Sequence, residues 1–136
     1  MGKKKIILDT NIYISALGWE GNPRKIFNKV IEGKYELIIS IKQFNEITRV
    51  LDYQKFGFTE EQKERFILLL NEIATIVKTK TNVNVVKDDS SDNIILEPAA
   101  EIKIDNIVSG DRHLLDLKEF NGAKIVTPQQ FLEIAK

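Results

Sequence analysis

Ile6-Ile7-Leu8-Asp9-Thr10-Asn11 decides the fold. An unbroken apolar run that stops at a carboxylate shows no alternation of polar and apolar positions, so it predicts a strand covered on both faces, as in a parallel sheet. A helix follows at once, with Asn11 or Thr10 as its cap, Ile12 to Leu17 as its body and Gly18 to Gly21 as its break. Working outward, Tyr35 to Ile39, Asn106-Ile107-Val108 and Ala123-Lys124-Ile125-Val126 read as further strands. Helices fall between them. Asn22-Pro23 opens one whose apolar stripe is Ile26, Phe27, Val30 and Ile31. Ser40 caps a second bearing Phe44, Ile47, Val50 and Leu51, and Thr59 with Gln62 forms a capping box for a third. Ser90 to Ile102 reads as helix with an acidic first turn, and Thr127-Pro128-Gln129-Gln130 opens the last one. Positions 75–88 read as loop with room for one short strand. Strands alternating with helices predict an α/β domain over 1–136, with a mainly parallel sheet and helices on both faces.

Composition narrows the function. With 136 residues, 43% of them apolar, and only 3 prolines and 7 glycines, the chain has the means to build one sizeable core. The absence of cysteine excludes disulfides, thiol catalysis and cysteine-built metal sites, and the expected compartment is the cytoplasm. Lys+Arg and Asp+Glu balance at 20 each, with the first half at +3 and the second at −3, too mild a split to imply a polyanionic partner. The basic start is followed by too short an apolar run for a signal peptide or a membrane span.

The carboxylates carry the chemistry. Asp9 and Asp111 are predicted at the carboxyl ends of two strands, the rim where open α/β sheets bind ligands. Glu46, about two turns into the helix after the second strand, and Asp92, at the start of the helix before Asn106, can join them. Taken singly, each has an ordinary reading as a cap or a solvated helix-end charge. Taken together they need a cation, because two carboxylates about 4 Å apart repel by about 4 kcal/mol at an effective dielectric of about 20. Oxygen-only ligation suits Mg²⁺ or Mn²⁺. Spacing alone leaves the metal site and the capping readings side by side.

Ile-Leu-Asp-Thr-Asn at 7–11, Glu46 after Leu-Ile-Ile-Ser at 37–40, Asp-Ser-Ser-Asp-Asn at 89–93, Ile-Val-Ser-Gly-Asp-Arg-His-Leu-Leu at 107–115 and Lys-Ile-Val-Thr-Pro at 124–128 closely resemble the PIN-domain family, over nearly the whole chain and in order. The chain looks most similar to the small prokaryotic, VapC-like PIN proteins described as toxins of toxin–antitoxin pairs. The resemblance implies a three-layer α/β/α fold with four to five mainly parallel strands, and a ribonuclease in which Asp9, Glu46, Asp92 and Asp111 hold one or two Mg²⁺ or Mn²⁺ ions. It implies in-line attack of a metal-activated water on an RNA phosphodiester, leaving a 5′-phosphate and a 3′-hydroxyl. Thr10, Asn11, Ser40 and Ser109 match the polar positions flanking the acids and are expected to orient carboxylates, water or phosphate. Arg112 and the lysines of the first half are candidates for holding RNA phosphates. The implied partners are RNA, an antitoxin protein and a second copy of the chain.

Some features depart from the family pattern or lie outside it. Ser91 stands where another acid often occurs; Asp88, Asp89 and Glu97 are the candidates to compensate. Pro98, inside the predicted helix, should kink or reset it at about 3 kcal/mol and so disturb the aim of Asp92. His113, the only histidine, reads as structural. Trp19 is a candidate to stack on an RNA base or to cover a core or a partner surface, and Lys3-Lys4-Lys5 reads as a solvated tail. The rival function is a non-catalytic PIN-like scaffold binding RNA or protein, which typically has lost an acid; here all four positions are filled. No Gly-rich phosphate loop or Asp-x-Asp pair supports another phosphohydrolase.

Overall fold

The fold is that of a computed structural model, which describes residues 2–86 and 90–135 and, of Ser90 and Ser91, the backbone alone. Asp88 and Asp89, two of the candidate compensating acids, lie outside the described residues. In chain order the elements are β1 (Lys4–Leu8), α1 (Thr10–Gly18), α2 (Asn22–Ile31), β2 (Tyr35–Ser40), α3 (Ile41–Leu51), a 3-10 turn (Gln54–Phe56), α4 (Glu60–Ile73), β3 (Ala74–Val77), α5 (Ser90–Glu101), β4 (Asn106–Val108), α6 (Arg112–Leu115), β5 (Glu119–Phe120), β6 (Ala123–Val126) and α7 (Pro128–Ile134). They form one sheet in the order β3-β2-β1-β4-β6-β5. Every pairing is parallel except β5 with β6.

The apolar runs alternate between two cores. Ile6, Leu8, Leu37 and Ile39 point to the layer that holds Tyr13, Phe27, Ile47, Phe66 and Phe131. Ile7, Ile38, Ile107 and Ile125 point to the opposite layer, with Ile95, Leu96, Ala99 and Leu114. Helices on both faces explain why the strands are apolar at successive positions. The expected three-layer, mainly parallel architecture is therefore observed, with six strands rather than four to five.

The two strands beyond the four read directly from the apolar runs, β3 and β5, are the edges. β3 follows α4 directly, where the Thr and Val pattern permits a short strand. β5 is two residues long and turns through Asn121 and Gly122, both at positive φ (50° and 88°), into β6. That Asn-Gly pair is the hairpin signal the sequence reading passed over. The charged start is likewise part of the sheet, not a free tail: Lys4 and Lys5 belong to β1, and the Lys5 amide donates to Asp105 at 2.8 Å.

The local signals set most helix boundaries. Ser40 caps α3 by accepting from Gln43 N, and both capping boxes form, Thr59 with Gln62 and Thr127 with Gln130. α1 is capped by Asp9 rather than by Thr10 or Asn11. Pro98 does not split α5, which runs through it, and Ile102 N closes onto the Pro98 carbonyl at 2.9 Å. Buried packing around Ile95, Leu96 and Ala99 holds the helix against the missing donor.

β1 sits at the point where the chain changes direction across the sheet. The connections after β1 and β2 add strands on one side, and the one after β3 returns to place β4 on the other. The carboxyl ends of β1 and β4 therefore flank the topological switch point, where a crevice opens.

Candidate active site

Asp9 leaves β1 and Ser109 leaves β4 at this crevice, with Asp9 N donating to Val108 O and Ser109 N to Val126 O, both at 2.9 Å. Asp9, Glu46, Asp92 and Asp111 line one cavity of about 230 Å³, together with Thr10, Asn11, Arg49, Val50, Tyr53 and Ile95. The expected juxtaposition of the four acids is thus observed. Asp9, Glu46 and Asp92 are buried and Asp111 is partly exposed.

Hydroxyl groups organise the acids. Ser109 Oγ donates to Asp9 Oδ2 at 2.6 Å and accepts from Asp111 N at 2.9 Å, so one side chain couples two acids. The other Asp9 oxygen accepts from Asn11 N at 3.1 Å. Thr10 Oγ1 donates to Glu46 Oε1 at 2.6 Å. Gln43 Nε2 donates to Leu8 O at 2.7 Å, tying the first turn of α3 to the end of β1. Ser40 does not line the cavity; it acts one step back, capping the turn that carries Gln43. Asp111 caps α6 by accepting from His113 N at 2.8 Å, so its structural and site positions coincide.

The electrostatics are unfavourable without a cation. Burial raises the Asp9 pKa first of all; bonds from Ser109 and Asn11 lower it, and the charges of Asp111 and Glu46 raise it again. Below it the fully buried Tyr13 hydroxyl has no hydrogen-bond partner among the described residues. Burial and then the Asp9 charge hold its pKa well above the usual tyrosine value, so it remains a neutral phenol. These carboxylates thus repel one another through a poorly solvated pocket.

The donor set fits a hard divalent ion. Asp92, Asp111 and His113 each offer a ligand atom, and these atoms lie within 4.8 Å of one another. Carboxylate oxygens are the ligands that Mg²⁺ and Mn²⁺ favour, and a neighbouring imidazole is compatible with Mn²⁺. His113, expected to be structural, has a 63% exposed side chain whose Nδ1 stands 3.7 Å from Asp111 Oδ1.

The remaining expected residues divide. Asn11 lines the cavity, whereas Arg112 is exposed and outside its lining. Glu97 is buried but committed elsewhere, accepting from Lys42 Nζ at 3.1 Å and Thr79 Oγ1 at 2.9 Å. Arg49 and Tyr53 were missed; Arg49 donates to the Tyr53 hydroxyl at 2.8 Å. Arg49 follows Glu46 by three residues on α3, a spacing that places it on the same side, and Tyr53 lies just past the helix end.

Fold and cavity define an α/β protein with an oxygen-donor acidic site at the switch point of its sheet. The family model described as the PIN domain matches residues 5–113, and the chain belongs to that family. PIN domains are generally metal-dependent nucleases, so a nuclease-type function and an RNA substrate follow at the level of the family. No curated protein matches the sequence. Among the described residues no helix is long and apolar enough to cross a membrane.

Proposed function

We propose that this chain, acting as one domain over 1–136, is an Mg²⁺- or Mn²⁺-dependent endoribonuclease of the cytoplasm and the toxin of a toxin–antitoxin pair. The observation that carries the reading is the meeting of Asp9, Glu46, Asp92 and Asp111, from four separate parts of the chain, around one cavity. These four acids would hold one or two ions, with His113 beside Asp92 and Asp111. A divalent ion bound there supplies Lewis acidity toward a phosphoryl oxygen and lowers the pKa of a water. Ser109 and Thr10 fix the orientation of Asp9 and Glu46, which keeps the ligand geometry from depending on flexible carboxylate rotamers. The partly exposed Asp111 and the exposed Asn11 face the mouth, where a phosphodiester enters.

A homodimer is the expected assembly, with Leu68 of α4 and Ile31 of α2 among the exposed apolar side chains it could cover. The reading is tested by incubating purified protein with mixed RNA in Mn²⁺, with and without excess chelator, beside Asp9→Asn and Asp111→Asn proteins. Cleavage should require the ion and vanish in both variants. RNA binding without cleavage in any divalent ion would make the chain a scaffold, and cleavage persisting in the variants would identify a contaminating nuclease.

A further inference from the structure

Beyond the acids, the cavity has a second wall. Arg49 and Tyr53 line it, and Tyr53 also begins a row of rings leading away across the surface. Tyr53 lies parallel to Phe56, with centroids 6.4 Å apart and planes 6° apart. Trp19 meets Phe56 and Phe58 edge-on at 6.4 Å and 6.3 Å. The two ends are open, Tyr53 at 39% and Trp19 at 54% exposure, while Phe56 and Phe58 are half-buried and form the floor.

The chain holds this row in place locally. The 3-10 turn Gln54–Phe56 closes at Gly57 in the left-handed region (φ 64°), which brings Phe56 and Phe58 together at 5.9 Å. Phe58 in turn closes on Gly18, where a Cβ would stand 3.1 Å from the ring. Two cations accompany the rings. Arg49 reaches the Tyr53 hydroxyl, and Lys55 Nζ sits 5.2 Å over Phe56 and 6.0 Å from the Tyr53 centroid. Neither makes an ion pair among the described residues, so both charges remain open to anions.

We propose that the row from Tyr53 over Phe56 to Trp19 is a single-stranded RNA track, on which bases stack while Arg49 and Lys55 hold the phosphates on the way into the acidic cavity. The inference rests on the ribonuclease reading and adds the path the substrate takes across the surface to the cavity. Continuity with the cavity favours nucleic acid over a protein occupant. A row of rings flanked by unpaired cations and ending at phosphodiester chemistry combines the stacking and charge that single strands require. Duplex RNA keeps its bases stacked inside and cannot use it.

Trp19 is the only tryptophan and so reports on the far end of the track. Binding is measured with Asp111→Asn protein in Mg²⁺, using a fluorescein-labelled mixed-sequence single-stranded oligoribonucleotide whose integrity is checked on a gel. Trp19 emission should be quenched saturably with an unlabelled copy of that RNA. Adding Tyr53→Ala should weaken binding by about tenfold, and Tyr53→Phe should keep most of the affinity. Arg49→Gln should reduce the salt slope by about one. Far-UV circular dichroism and melting confirm that each variant is folded. The proposal is overturned if the duplex form binds as tightly, if Trp19 emission ignores RNA, or if it changes with protein concentration alone, which would assign the row to a second copy. Metal-dependent cleavage by otherwise native protein with unchanged KM in Tyr53→Ala would also overturn the track while leaving the ribonuclease reading intact. Track binding without cleavage in any divalent ion would uphold the track and reject the ribonuclease.

Discussion

Glu97 and Asp9 are equally buried carboxylates, at 4% and 5% exposure, with opposite surroundings. Glu97 has an ammonium group, Lys42 Nζ, at 3.1 Å and a threonine hydroxyl beside it. Among the described residues Asp9 has only a serine hydroxyl and a backbone amide, with the charges of Asp111 and Glu46 acting against it. A buried carboxylate with its own cation is complete as it stands. One that is buried with other acids is complete only when a cation arrives from solution, and this contrast separates structural acids from site acids.

The largest effect that would sharpen the contrast is on turnover. Asp111→Asn should lower RNA cleavage by about a thousandfold, the scale expected when several kcal/mol of charge stabilisation is lost. Glu97→Gln should leave cleavage within a few-fold of the parent. Equal losses in the two variants, read by gel-resolved initial rates, would break the distinction. Ser109→Ala removes the donor to Asp9 and the acceptor of Asp111 N, and should cost about 10–100-fold in metal affinity or activity.

Stability should move in opposite directions. Glu97→Ala takes away the partner of half-exposed Lys42 and of Thr79, and should cost about 1–2 kcal/mol in urea unfolding after allowing for solvent screening. Asp9→Asn relieves burial of a charge among charges and should raise the melting temperature of metal-free protein at neutral pH. At this chain length about 1 kcal/mol corresponds to about 4 °C. A large fall instead would make Asp9 a structural residue.

The smallest effect is on pH dependence. Because the Asp9 pKa is raised in the fold, first of all by burial, the folded chain favours its protonated form more than the unfolded chain does. The associated stability is fully present below the unfolded value of about 3.8 and is lost as pH rises through the folded value. Metal-free protein should show this falling contribution in pH-resolved melts, and Asp9→Asn should lack it while Glu97→Gln retains it.

What the sequence disclosed follows the range of the physics involved. Ser40, Thr59 and Thr127 act on backbone amides within three residues, so their caps are legible from neighbours alone. Ile6-Ile7-Leu8 is apolar throughout because both faces are covered, a pattern that survives without coordinates. The four acids were placed by strand ends and by family resemblance, since Ser109 and Asp9 meet across a separation of 100 residues. The nearness of His113 to the acids was not legible, because its neighbours in space, Asp92 and Asp111, come together only when α5 and the β4 rim meet. Arg49 was within reach through its spacing from Glu46, but a charge in the last turn of α3 and a phenol just past the helix end carry no mark of the cavity they line.

Mn²⁺-dependent melting of native and Asp92→Asn protein tests the shared-cation account most directly. Bound only by the folded state, the ion should stabilise native protein by about 2.7 kcal/mol at a hundredfold excess over its Kd, and Asp92→Asn should lose most of that shift while melting normally without metal. A native protein indifferent to saturating Mn²⁺, or an Asp92→Asn protein that keeps the full shift, would contradict it.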